Sequence, residues 1–317
     1  MSAAPDSQSE PLFGVVVLNW NNADDTLVCL DSLWRASPRP ACVVVVDNGS
    51  RDSSVAQIRQ WVHLRFAGES EKKDCWLSVI EAGRNRGFAG GTNLGIKHLR
   101  DKTRITHILL INNDATVSPP FFSDIGDVIR DVPGAGLIGA TIFESENGKR
   151  VWYAGGVEHP LRALYKHSYR VPESLDPVPT DFVTGCAMVI SRPLLERIGP
   201  LAECYFPAYW EDGEYSFRAR QAQFPVLYAP RAKVFHRVGG TVRGAGLDAV
   251  LASAKNRLRV FYVRRNYRGW TRVVALGYLA ITKPGRAAIE AMQGRPRIGW
   301  EILKGTVSGF VSTAARD

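Results

Sequence analysis

Apolar residues fall in short continuous blocks along the first third of the chain, each closed by polar side chains. Residues 13–19, 42–47, 76–82 and 106–111 are such blocks, as expected for strands of a parallel sheet buried on both faces. Between the first two, Leu27, Leu30, Leu33 and Trp34 recur at helical spacing behind Asp24 and Asp25 as start signals. Strand, helix, strand at this spacing predicts a right-handed βαβ opening and an α/β domain. The fourth block ends in Asn112-Asn113-Asp114, and ligands of α/β sheets sit beyond the carboxyl ends of strands.

After residue 140 the texture changes. Gly155-Gly156 and several prolines punctuate residues 151–153 and 163–169, which read as hairpins more than as βαβ units. Residues 181–190 predict a strand with a small centre at Thr184-Gly185, and glycine inside a strand marks close approach of a ligand or backbone. Three aromatics then precede Glu211, Asp212 and Glu214, with a helix over 211–221 and short strands over 226–228 and 233–236. Residues 247–267 predict a basic helix, and 273–281 a second apolar surface. The division expected is a disordered tail (1–11), an α/β domain (12–245) with halves at about 12–115 and 116–245, and a helical basic extension (246–317).

Composition narrows the setting. With 317 residues and 45% hydrophobic content, the chain accommodates one large domain and an appendage. Five scattered cysteines, odd in number and outside metal-ligand spacing, point to free thiols in a reducing compartment. The first ten residues are polar and lack signal-peptide character, and no stretch reaches the length of a spanning helix. A soluble or surface-bound cytoplasmic protein is expected. Net charge is +9 with pI about 9.4, and Lys255 to Arg272 holds seven basic residues and no acid. Nucleic acid, an anionic membrane or a phosphorylated substrate would each suit that balance. No nucleic-acid-binding motif accompanies it, so nucleic acid is set aside.

Several residues carry candidate chemistry. Asp114, flanked by amides, suits a hard divalent cation that already holds phosphate oxygens, or simply a turn. Asp47 stands at a strand end, where an acid meets a nucleotide or starts a turn. The glycine-rich residues 83–95 lack both the Walker and the dinucleotide spacing. Yet glycines before a helix over 90–100 let backbone N–H groups approach phosphate, with Arg84 and Arg86 to assist. An aromatic wall beside Glu211 and Asp212 is what a sugar site needs, whereas acids at a helix start also serve as helix capping.

In this order the stretches 17–21, 46–50, 85–93, 110–114, 182–188, 210–214 and His236 resemble the family 2 inverting glycosyltransferases of the GT-A fold. The texture is similar to the bacterial rhamnosyltransferase and galactofuranosyltransferase branches. The resemblance spans residues 13–241. It implies a Rossmann-like, mostly parallel sheet with flanking helices. It also implies that Asn19, Asn21, Asp47, Asn48, Asn85, Gly87, Phe88, Gly91, Asn93, Asn112 and Asn113 hold a nucleotide-diphosphate sugar with a thymidine or uridine base. Asp114 and His236 would hold Mg²⁺ or Mn²⁺, with Asn112 replacing an acid common among relatives. Asp212 would be the general base, with Trp210, Glu211, Thr184 and Gly185 on the acceptor.

The implied activity is transfer of a sugar, rhamnose first, to a glycan or lipid-linked acceptor in cell-envelope polysaccharide synthesis. Galactofuranosyl or other hexosyl transfer from a UDP-sugar is the alternative. An anionic membrane surface at the inner face of the plasma membrane and a second copy of the chain are further candidate partners. A nucleotidyltransferase would want a basic signature loop, which residues 19–25 lack. A non-catalytic sugar- or lipid-binding module is opposed by the joint presence of Asp114, Asp212 and His236.

Overall fold

In a computed structural model, residues 10–66, 76–102, 104–145, 148–237 and 248–312 are described. The first half runs β1 (Phe13–Asn19), α1 (Ala23–Arg35), β2 (Cys42–Asp47), α2 (Ser54–Phe66), β3 (Leu77–Glu81), α3 (Gly87–Arg100), β4 (His107–Asn112), β5 (Ala115–Val117) and α4 (Phe121–Asp131). There follow β6 (Leu137–Phe143), β7 (Val151–Tyr153), β8 (Gly156–His159), β9 (Leu164–His167), β10 (Val178–Pro179), β11 (Ala187–Ser191), α5 (Arg192–Ile198), α6 (Glu211–Gln221) and β12 (Val226–His236). Three helices close the chain, α7 (Asp248–Asn266), α8 (Gly269–Met292) and α9 (Pro296–Val311).

The four apolar blocks are parallel strands in the order β3-β2-β1-β4. Successive strands are added on one side of β1 and then on the other. That reversal opens a crevice at the carboxyl ends of β1 and β4. Beyond β4 the sheet continues with antiparallel β11, then β6, β12 and β10. Short β5 pairs antiparallel with the end of β12, placing His236 opposite Ala115. This register brings His236 to Asp114 across more than a hundred residues of sequence.

Three expectations are corrected. The segment 182–186 is a turn, and β11 begins only at Ala187. Residues 226–236 form one strand with an irregularity between Ala229 and Lys233 instead of two. Helix α3 starts at Gly87, so most of the glycine-rich stretch is helix and not loop. A Cβ at Gly91 would lie 2.5 Å from Leu18 Cδ1, and one at Gly95 2.5 Å from Val16 Cγ1. These glycines let α3 lie directly on β1, a packing role that their spacing shares with a phosphate loop.

The basic C-terminal helices are docked, not loosely appended. Buried Glu158 accepts from Tyr262 Oη (3.0 Å) and Tyr267 Oη (2.5 Å) and pairs with Arg220 of α6. Tyr262, Leu258 and Val263 share an apolar cluster with Trp210 and Tyr205. Arg264 Nη1 donates to the Gly309 (2.8 Å) and Ser312 (2.6 Å) carbonyls, closing the end of α9. Among the described residues, no helix is long and apolar enough to cross a membrane.

Replacing Gly95 with Ala forces a methyl into Val16, whose β-branched side chain cannot swing aside. A stability loss of about 1–3 kcal/mol is expected, read as a lower denaturant midpoint with an unchanged slope.

Candidate active site

The carboxyl ends of β1, β2 and β4 are tied together by their own polar side chains. Asn19, fully buried, donates from Nδ2 to Asp47 Oδ1 (2.8 Å) and accepts from Thr26 Oγ1 (2.7 Å) on Oδ1. Asp47 also accepts from the Ser50 hydroxyl (2.5 Å) and the Ser50 N–H (3.0 Å). Asn113 donates to Thr26 Oγ1 (3.0 Å) and the Asn22 carbonyl (3.2 Å). Asn19, Asp47 and Asn113 thus form a rigid floor. Thr26 and Ser50, which sequence reasoning missed, complete it. Asn21, exposed at φ 51°, accepts from the Arg51 N–H (2.8 Å) and stands at the rim.

The next shell is equally committed. Asn48 accepts from the Arg86 N–H (2.9 Å) and donates to the Gly87 carbonyl (3.1 Å). Asn85 Oδ1 takes the Gly87 N–H (2.8 Å), and the Phe88 N–H donates to the Pro207 carbonyl (2.7 Å). The first N–H groups at the start of α3 are therefore spent inside the protein, not presented as a phosphate cradle. Asn93 lies apart from the crevice residues, bonded in both directions to Leu201 (2.9 and 3.1 Å). Gly91 is a packing position, as above. Phe88 faces Gly185, whose N–H donates to Asp212 Oδ2 (3.1 Å), so this turn joins the β1–β2 side to α6.

Asp114 and His236 meet with Oδ1 3.1 Å from Nε2, and Asn112 Nδ2 is 3.4 Å from the same nitrogen. The pair lines a cavity of about 410 Å³ with Asp25, Thr116 and Arg237. Burial lowers the His236 pKa, but Cys186 and the Asp114 carboxylate beside it raise it more, to about 10. Neighbouring ligands of an octahedral Mg²⁺ lie about 3 Å apart at bond lengths of about 2.1 Å. Asp114 and His236 already have that separation, so together they would hold a divalent cation once His236 releases its proton. No cluster of three or more His, Cys, Asp or Glu that could hold a metal by itself occurs among the described residues.

A second cavity, of about 480 Å³, is lined by Tyr165, His167, Trp210, Glu211, Asp212 and cations from α7 and α8. Tyr209 and Trp210 have φ of 82° and 79°, a conformation that bulky residues adopt at a cost. Trp210 Nε1 is anchored on the Lys255 carbonyl (3.2 Å). Asp212 is half-buried, and its Oδ1 accepts the Gly213 N–H (2.8 Å). Thr184 is buried in the turn beside it, bonded to the Cys186 N–H (3.4 Å). Glu214 is held by Arg218 (2.9 Å) and is structural.

His167, another residue missed from sequence, faces the Trp152 carbonyl through Nδ1 (3.0 Å). A carbonyl only accepts, so that nitrogen carries the proton and Nε2 is an acceptor. The Trp152 ring also packs on His236 (5.2 Å) and His167 (4.6 Å), linking one lining residue of each cavity.

Burial and the adjacent Asp212 push the Glu211 carboxyl up to about 8, so it holds its proton at neutral pH. A raised carboxyl pKa means the folded state binds the extra proton, and stability falls as pH rises from the unfolded value of about 4.5 towards 8. Glu211→Gln removes that dependence. The variant's melting temperature should gain on the wild type as pH is raised across this window, whereas a pH-independent difference would contradict the assignment.

The glycosyl transferase family 2 model matches residues 14–199, more than half of the chain. The chain is 26% identical over 227 residues to the low-salt glycan biosynthesis hexosyltransferase Agl10 of Haloferax volcanii, spanning 67% of this chain and 62% of that protein. It is 23% identical over 266 residues to the N-acetylglucosaminyl-diphospho-decaprenol L-rhamnosyltransferase of Mycobacterium tuberculosis, spanning 77% and 81%. The fold is similar to that of the mannosyltransferase PcManGT of Pyrobaculum calidifontis in complex with GDP-Man and Mn²⁺, with TM-score 0.56, 17% identity, and 97% and 89% of the two chains covered. It is also similar to GalNAc-T7 with UDP, GalNAc and Mn²⁺, with TM-score 0.57, 14% identity, and 72% and 44% covered. The α/β sheet, its crevice and the sequence match agree: the chain belongs to glycosyl transferase family 2 and has the GT-A fold.

Proposed function

We propose that this glycosyltransferase is metal-dependent and inverting, and moves a hexosyl unit, rhamnose first, from a dTDP- or UDP-sugar to a hydroxyl of a glycan or lipid-linked acceptor. The observation that carries the reading is the placement of Asp212 and the Asp114–His236 pair in two cavities, whose residues His167 and His236 both pack on the Trp152 ring. Inversion needs a deprotonated hydroxyl on one face of the sugar and a diphosphate leaving from the other. Asp212 accepts the hydroxyl proton, held in position by the Gly185 and Gly213 N–H groups. Trp210 and Tyr165 offer ring faces to the acceptor sugar. Asp114 and His236, with Asn112 beside them, hold Mg²⁺ or Mn²⁺. When bound, the cation offsets charge growing on the diphosphate. The two relatives named as hexosyl and rhamnosyl transferases support the donor class, and a role in cell-envelope polysaccharide follows from the same reading.

A lipid-linked acceptor places the enzyme at the inner face of the plasma membrane. Trp270, Val273 and Ile281 on α8 and Trp300, Val307 and Val311 on α9 are exposed apolar residues at helical spacing, suited to shallow insertion. Arg264 is engaged instead with the Gly309 and Ser312 carbonyls at the end of α9.

Two variants test the chemistry. Asp212→Asn should lower kcat about 10²–10⁴-fold with donor affinity kept, while Asp114→Ala should lose Mn²⁺-dependent donor binding. Loss of donor affinity in Asp212→Asn with the saturated rate intact would make Asp212 a binding residue. For the membrane, sedimentation with vesicles should rise with anionic lipid and fall in Trp270→Ser/Ile281→Ser. Equal recovery in the supernatant with and without vesicles would overturn the surface reading.

A further inference from the structure

The cavity beside Asp212 has a cationic back wall. Lys255 and Arg259 are four apart on α7, and Lys283 and Arg286 three apart on α8. Each pair therefore occupies one helical face, and both faces line the same cavity. Like charges at such spacing repel and destabilise a helix, and here two pairs converge. Their compensation is thin. Neither Lys255 nor Lys283 has an ion pair among the described residues. Arg259 donates to the Ala163 and Arg162 carbonyls (both 2.7 Å), which orient it without neutralising it. Arg286 pairs with Glu290 (2.5 Å), but Arg295 shares that carboxylate (2.8 Å).

We propose that Lys255, Arg259, Lys283 and Arg286 form a phosphoryl subsite, which binds the phosphate or diphosphate through which the acceptor sugar is carried. This rests on the acceptor reading above and specifies its substrate class. A tetrahedral oxyanion with several oxygens suits point-charge lysines and a planar guanidinium fork together. A sugar stacked on Trp210 would then reach Asp212 with a hydroxyl and the cations with its phosphoryl group. Burial and the surrounding Arg259, Lys255 and Arg286 already push Lys283 down to about 7, a repulsion that a bound dianion relieves. A lipid headgroup offers similar chemistry. However, these cations line a cavity that also holds Asp212, whereas Trp270, Val273, Val274, Ile281, Ile289 and Met292 of α8 are exposed and line no part of it.

The test is calorimetric titration of the full chain with inorganic pyrophosphate in EDTA. Without a divalent cation the cavity beside Asp114 pairs His236 with Asp114 and Arg237 with Asp25, so it contributes little. Saturable binding is expected, weakened roughly tenfold in Lys255→Gln and in Lys283→Gln and restored in Lys283→Arg. Melting curves confirm that each variant is folded. Absence of binding, or equal affinity in wild type and both glutamine variants, overturns the subsite. Vesicle sedimentation in parallel separates the headgroup source: if Lys283→Gln loses vesicle binding but keeps pyrophosphate affinity, the subsite is also overturned. The readout needs no transfer. A chain that transfers no sugar yet shows the lysine effect supports the subsite and sinks the transferase reading. A working transferase indifferent to both lysines does the reverse.

Discussion

Strands covered on both faces cannot leave polar groups unpaired where they end, and this constraint organises the crevice. An orphaned buried donor or acceptor costs about 1–3 kcal/mol. Asn19, Asp47 and Asn113 avoid that cost by bonding to one another's neighbours, Thr26 and Ser50, across three strand–loop junctions. The floor is therefore fixed before any ligand arrives. Preorganised polar groups lose less on binding than groups that must first be ordered. The same network sets where β4 releases the chain, and hence where Asp114 stands.

A second tie holds the far half. Glu158 is buried with two tyrosine hydroxyls and Arg220 on it. It joins the β8–β9 hairpin, α6 and α7 in one place. Removing any partner would leave a buried carboxylate under-satisfied, which is costly. The consequence is geometric, because α7 and α8 are held against the mouth of α6 and become the back wall of the cavity beside Asp212. The C-terminal helices are thus part of the site's architecture.

Much of the first half was legible because runs such as Val43 to Val46 admit few structures other than buried strands. The position of Asp114 followed from the strand that carries it. Its partner followed only from the family resemblance, since His236 reaches it through the β5–β12 register, which no local pattern encodes. Gly91 and Gly95 stay ambiguous in sequence, because a phosphate loop and a tightly packed helix both call for absent side chains. Asn93, which the resemblance assigns to the nucleotide sugar, bonds to Leu201 in both directions. The spacings of Lys255 with Arg259 and Lys283 with Arg286 were visible throughout. Only the packing of α7 and α8 shows that they face a cavity, so from sequence they read as a solvated or lipid-facing stripe.

The opposed character of the two cavities solves an electrostatic problem. Glu211 and Asp212 are adjacent in the first turn of α6, and burying both as anions side by side would be expensive. The deeper one, Glu211, keeps its proton, while Asp212 retains two backbone N–H donors and an opening to solvent. The helix N-terminus favours a single negative charge there. The cations of α7 and α8 bias the same cavity towards anions, while Asp114 makes the other cavity want a cation. A phosphoryl group would meet complementary charge directly in the cavity beside Asp212, and beside Asp114 only together with a divalent cation.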